Sequence, residues 1–256
     1  MSLLFNGTTS DYLDCASATN LDNLSKLTYA AWIYPTSLAG DEFNIMGKGD
    51  PAGGLIHLLV GDDFGKSDIL LLRVSHITTS AIARSANNTV VVNKWQFVAG
   101  TWAGGSNSPK LYYGLTPATV AEVSYQTQQA PVGAQSDDSS YKFIIGARAN
   151  ASSVDIPFSG ELEYLWVFNQ DLTLGQLQIL AAGPDSLNGI DNDLSGTLDL
   201  IGSYRLFAPT TNQNDYSTKA NHGTLHGTTR GNDSPPLALY KSCTFTMSMA
   251  EKVRVF

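Results

Sequence analysis

The best metal-site candidate in the chain is Asp191-Asn192-Asp193-Leu194-Ser195-Gly196-Thr197-Leu198-Asp199. Asp191, Asp193, Ser195 and Asp199 alternate around a glycine, the spacing at which a tight turn aims successive side chains at one calcium ion. Where a calcium loop closes with a bidentate glutamate this chain has Gly202. Two readings follow: a calcium site with those four ligands, or a turn rich in Asx contacts. Flat aromatic rings offer a different chemistry, since sugar-binding modules stack pyranose faces on them. Trp102, Tyr112 and Tyr113 are the candidate ligand-binding residues, with Tyr34 beside them. Trp32, Trp95 and Trp166 sit in segments apolar on both faces or at core positions and are assigned to the core.

Other constellations reduce to structural readings. His222 and His226 are four apart, as in helical zinc pairs, but Gly223 and Gly227 oppose a helix. Gly47-Lys48-Gly49 lacks the Gly-Lys-Ser/Thr ending of a phosphate loop and reads as a turn. With four histidines and no Ser, His and Asp set at motif spacing, a hydrolase triad has no support.

These residues need a scaffold, and composition says which kind. Of 256 residues, 43% are hydrophobic and 15% charged, enough to bury a full core and well under the roughly 25% charge of an average globular chain. Fifteen Lys and Arg against twenty-three Asp and Glu leave a net charge of −8, which opposes binding to a phosphate backbone, so no nucleic-acid partner is expected. No apolar run approaches the ~20 residues of a membrane helix, and no membrane partner is expected. The Met1 to Gly7 start has no basic n-region, so no secretory signal is expected. Cys15 and Cys243 are too few for a disulfide framework and read as ordinary thiols.

Short segments rich in β-branched and aromatic residues recur between Gly, Asn, Asp and Pro. Strands are predicted near residues 3–5, 12–15, 27–34, 43–46, 55–60, 69–75, 89–92, 95–102, 110–115, 118–125, 141–145, 162–168 and 203–207. Their spacing predicts an antiparallel sandwich. One helix is marked at both ends. Thr173 and Gln176 form a capping box, Leu172 and Leu177 a hydrophobic staple, and Gly183-Pro184 a stop. Leu174, Leu177, Leu180 and Ala181 share a face that should pack on the sandwich edge. Residues 1–231 are read as one domain and 232–256 as a C-terminal extension. In the extension Cys243, Phe245, Met247 and Met249 alternate with polar residues, as in a strand that closes the sandwich or reaches a neighbouring subunit.

Three stretches together carry a family resemblance. They are Leu4-Phe5-Asn6-Gly7 with Leu27 to Thr36, Trp95 to Trp102 with Leu111 to Gly114, and Phe143 to Gly146 with Phe158 to Asn169 and the capped helix. In this order the chain resembles the concanavalin A-like lectin/glucanase superfamily, of laminin G-like and pentraxin type. Tyr204 to Phe207 and Asn221 to Gly227 resemble a further piece of it, found here after the helix. The resemblance implies an all-β, two-sheet antiparallel jelly-roll sandwich with one short helix, whose members mostly bind sugars, proteins or lipids.

Glucan hydrolases on this fold place three acids on alternate positions of one strand. Here Glu161 and Glu163 supply two and Leu165 stands third, so no enzyme is expected. Pentraxin-type calcium sites follow the strand at Phe143 to Gly146 with acidic and amide residues. This chain has Ala147, Arg148, Ala149 and Asn150 there, and a guanidinium repels a divalent cation, leaving Asp50 or Asp155 for any different site. The expected function is non-enzymatic surface recognition or display. One form is a bacteriophage virion or capsid decoration component with a glycan-binding or adhesion role, exposed on the virion surface. The alternative is a carbohydrate-binding domain of a larger extracellular bacterial protein. Expected partners are glycans, virion proteins or further copies of the chain in a homo-oligomer, and the candidate cofactor is calcium on the loop reading, or none on the turn reading.

Overall fold

The structure is a computed structural model that describes residues 2–16, 18–38, 42–49, 55–63, 66–149, 153–183 and 198–237. In chain order the first strands are β1 (Leu3–Asn6), β2 (Tyr12–Asp14), β3 (Leu27–Pro35), β4 (Glu42–Gly49), β5 (Leu55–Asp63), β6 (Lys66–Val74) and β7 (Ala81–Ser85). Then come β8 (Gln96–Trp102), β9 (Lys110–Gly114), β10 (Ala121–Glu122), β11 (Tyr125–Gln129), β12 (Phe143–Ile145), β13 (Arg148–Ala149), β14 (Val154–Asp155) and β15 (Ser159–Phe168). After the helix α1 (Leu174–Ala181) follow β16 (Leu200–Tyr204), β17 (Asn212–Gln213), β18 (Gly223–His226) and β19 (Thr229–Arg230).

Two antiparallel sheets form the sandwich. The first runs β10-β9-β8-β3-β15-β1-β19, with β16 also on β15, and the second β11-β7-β6-β5-β4-β12-β2-β18-β17. β13 and β14 make a separate ribbon. Strand β3 explains the layering. Tyr29, Ala31 and Ile33 join Val98 and Leu162 between the sheets, while Ala30 and Trp32 join Phe97, Ala99 and Trp166 on the opposite face. That second apolar face must be covered, and Leu177, Leu180 and Ala181 of α1 cover it. The helix therefore lies on the outer face of the first sheet, not on the edge, and the Trp32 indole N–H donates to the Ala181 carbonyl at 3.0 Å. The capping box forms as expected, with the Gln176 amide carbonyl accepting from Thr173 N–H at 2.8 Å. Leu174 falls outside the buried stripe and is 38% exposed.

Other expected elements are redrawn by backbone geometry. Residues 89–92 are not a strand: Asn88 and Asn93 adopt left-handed φ of 58° and 57°, and the Gln96 amide bridges Val91 N–H and C=O. The single strand expected over 118–125 is a 3₁₀ turn at Pro117–Thr119 followed by β10 on one sheet and β11 on the other. Residues 198–231 close the fold beside the N-terminal strands, with β18 on β2 and β19 on β1. The first residues of the expected extension also lie against the sandwich, since Ser2 Oγ lies 3.0 Å from the Asp233 carbonyl and Leu237 packs on the helix-side cluster. The expected strand from Cys243 to Met249 lies outside the described residues.

Candidate functional site

The segment after β16 is a loop made rigid by buried polar side chains. Asp215 accepts from Ser203 N–H at 2.7 Å, Asn221 N–H at 2.8 Å and the Ser217 hydroxyl at 2.6 Å. Asn221 donates to the Ile201 carbonyl at 2.6 Å, and the buried Tyr204 hydroxyl donates to the Asn221 carbonyl at 2.7 Å. Gln213 donates to the Ala208 and Thr210 carbonyls, each at 2.8 Å. All of these except the Ser217 hydroxyl bond satisfy a backbone group that a loop would otherwise leave unpaired, so the chain from 203 to 221 is held in one shape.

That frame opens a cleft of about 240 Å³ between Arg205, Phe207, Asn212, Asn214 and Tyr216. Tyr216 is 54% exposed and Phe207 38%. The Phe207 ring is fixed edge-on to Tyr164, centroids 5.4 Å apart at 82°. The Arg205 guanidinium lies 4.7 Å from the Tyr216 ring centre, a cation–π contact that orients both groups. The buried Nε–H of Arg205 finds no acceptor among the described residues. Aromatic faces, two exposed amides and a guanidinium converge here, and no carboxylate lines the cleft. The arrangement can stack on a ring and hydrogen-bond hydroxyl or carboxyl groups, but it supplies no acid–base pair.

The residues singled out in the sequence are distributed differently. Trp102 is 2% exposed within the inter-sheet core, and its indole N–H donates to the Asn107 carbonyl at 2.8 Å, so its ring offers no stacking face. Tyr112 and Tyr113 are neighbours on β9 and point to opposite sides of the sheet, Tyr112 into the helix-side cluster and Tyr113 toward the core. The three therefore make no common platform. Tyr112 instead borders a second cleft of about 220 Å³ with Thr101, Asn107, Lys110, Asp171 and Thr173. Tyr34 packs on Trp95 at 5.7 Å.

Of the calcium candidates, Asp191, Asp193 and Ser195 lie outside the described residues, as does Asp50. The Asp199 carboxylate accepts from the Asn169 amide at 3.2 Å and lies 3.7 Å from Lys219. Arg148 makes a two-pronged pair with Asp155, both bonds 2.8 Å, which staples β13 to β14 and occupies the Asp155 carboxylate. Among the described residues no group of three His, Cys, Asp or Glu could hold a metal ion. His222 accepts from Asp215 N–H at 3.1 Å while His226 stacks on Tyr12 at 4.4 Å, so the two histidines serve separate contacts.

The paired glutamates lie on the helix-side face of β15, with Leu165 out of their row. A register shift between Glu163 and Leu165, with Tyr164 at φ 53°, is a β-bulge. It returns Leu165 to the inter-sheet core and breaks the alternating row of which Leu165 was the third member. Glu161 accepts from the Ser2 hydroxyl and from Asn232 and Asp233 N–H at 3.4 Å. Glu163 is 1% exposed, and burial raises its carboxyl to about 7, against the opposing N-terminal charge and the hydrogen bonds from Tyr164 and Ser234. In the second sheet His57 is equally buried, hydrogen-bonded to Asn44 at 2.8 Å. Burial, and then the charges of Arg148 and Arg73, lower its ring to about 3. Cys15 is a buried thiol pushed up to about 12, mainly by burial.

Residues 6–178 match the family model Laminin_G_3 of the concanavalin A-like lectin/glucanases superfamily, and the chain belongs to that superfamily. No curated protein sequence matches the chain. Among solved structures it is similar to a Bacteroides ovatus "putative carbohydrate binding protein", at 19% identity and TM-score 0.64 over 91% of this chain. The chain spans 60% of that protein's length. It is also similar to the CBM40 of a Ruminococcus gnavus sialidase, at 14% identity and TM-score 0.46, over 62% of this chain and 83% of that one. A heptameric SAP-like pentraxin of Limulus polyphemus matches at 17% identity and TM-score 0.41, over 70% of this chain and 81% of that one.

Proposed function

We propose that the chain is a non-enzymatic glycan-recognition module whose sugar contact is the Arg205, Phe207 and Tyr216 cleft. The observation that carries this is the convergence of two exposed aromatic rings, one guanidinium and the Asn212 and Asn214 amides on a loop held rigid from beneath. Rigid aromatic anchors bind at low entropic cost, and the amides and guanidinium supply the in-plane donors that sugar hydroxyls need. At about 240 Å³ the cleft suits one terminal sugar residue better than a long chain threaded through it. Membership of a lectin-bearing superfamily supports the reading.

The test is an immobilised-glycan array followed by calorimetry, with Tyr216→Ala and Arg205→Ala beside the parent. The parent should bind at least one glycan class, and each variant should lose about tenfold or more in affinity, about 1.4 kcal/mol. A parent that binds no glycan, or variants that bind as tightly as the parent, would overturn the assignment. The finer proposal places the module on the surface of a virus particle, supported by the acidic, cysteine-poor composition of an exposed surface. Peptides of this chain in purified particles are expected, and their absence sinks that placement.

A further inference from the structure

Lys48 stands out among the lysines of the described residues because its side chain is wholly buried. Lysine is almost never buried without a chemical reason. Its Nζ contacts the Asp22 carboxylate, lies 3.2 Å from Asp138 Oδ1 and reaches the Leu21 carbonyl at 3.5 Å. Asp138 is itself fully buried: its Oδ1 also accepts from Asn23 N–H at 2.9 Å, and its Oδ2 finds no hydrogen-bond partner among the described residues. Phe143 faces Lys48 across the β12–β4 ladder. Fully ionised, the cluster holds the Lys48 ammonium and the Asp138 carboxylate out of water, with the Asp22 carboxylate only 16% exposed beside them, which is strongly unfavourable. No external ligand can reach Lys48 to relieve it. Condensation can, because an amide replaces one buried and one largely buried ion by one neutral group.

We propose that Lys48 and Asp22 are joined by an intramolecular isopeptide bond, with Asp138 as the proton carrier. The ammonium gives a proton to the Asp22 carboxylate, leaving a neutral amine beside a neutral acid. The Nζ lone pair attacks Asp22 Cγ and the N–C bond forms. Asp138 takes a proton from the nitrogen and returns it to the departing hydroxyl, the C–O bond breaks, and one water leaves. Ammonium plus carboxylate thus become amide plus water, Asp138 ends as it began, and no oxidant or external reagent is consumed. Burial, which holds the Asp138 carboxyl above the usual carboxylate range, suits it to pass a proton in both directions. The amide N–H then has Asp138 as its acceptor. The link would join the segment leading into β3 of the first sheet to β4 of the second, a covalent staple across the sandwich. That is a useful property for a module displayed outside a cell.

The experiment is the intact mass of the purified, folded full-length chain, with peptide mapping after digestion. A mass lower than the sequence mass by one water, and a branched peptide joining Asp22 to Lys48, is the expected result. An unmodified mass, or a water loss mapped to any other pair, overturns the proposal. Asp138→Asn preserves the shape of the site but cannot carry the proton, so it should return to the full sequence mass while circular dichroism stays native. A folded Asp138→Asn chain that still carries the link removes Asp138 from the mechanism and overturns the proposal as stated.

Discussion

Glu163→Gln should convert a pH-dependent stability into a flat one. The Glu163 carboxyl lies on the helix-side face of β15, 1% exposed, and burial moves it from an ordinary 4.5 to about 7. Between those values the folded chain holds a proton that the unfolded chain has released. Stability contributed by this group is therefore complete below about pH 4.5 and is lost as pH rises toward 7. At about 1.36 kcal/mol per pH unit the loss is about 3 kcal/mol. Glutamine keeps the shape of the protonated acid and removes the titration. Urea unfolding of both chains, followed by tryptophan fluorescence at a series of pH values, gives the difference directly, and ionisations common to both cancel in it. The two should be within about 1 kcal/mol of each other at low pH, and the variant should be more stable by about 3 kcal/mol once the pH passes 8. Parallel curves across the whole range would show that Glu163 meets enough solvent or positive charge to ionise normally, and the burial argument would fail.

His57 should act in the opposite sense. Its folded ring protonates only near 3 while the unfolded ring does so near 6.5, so stability falls as pH drops through that window, by up to about 5 kcal/mol. His57→Gln should flatten acid unfolding between those limits, and an unchanged acid limb would refute this. Gly146→Ala should destabilise by about 2–4 kcal/mol in chemical unfolding, because φ is +82° and the new Cβ would sit 2.3 Å from Phe5 Cε1. Calcium, if it uses the Asp191 to Asp199 run, should raise the melting temperature by mass action. That response should vanish in the Asp191→Ala, Asp193→Ala double variant, and a response that survives assigns the ion elsewhere.

Local pattern determined the antiparallel-sandwich class and the helix with its capping box, while the superfamily was legible only as a resemblance carried by three stretches. The β-branched and aromatic runs between turn residues and the Thr173 to Gln176 pair act between residues close in sequence, so they are visible without a fold. The face that each residue occupies was settled only by the tertiary structure. The bulge at Tyr164 moved Leu165 across the sheet, because one extra residue reverses the alternation downstream of it. Trp102 passed from candidate platform to core because burial is set by the opposing sheet, not by residue type. The Arg205 to Tyr216 cleft was missed although its aromatic and amide residues stand close together. No periodicity marks a loop, and its shape comes from Asp215, Asn221 and Gln213 binding backbone groups in the folded chain. The Lys48, Asp22 and Asp138 cluster is the extreme case. Its members come from three separate stretches, and Gly47-Lys48-Gly49 reads as a turn until packing of β4 against the segment before β3 buries the ammonium between two carboxylates.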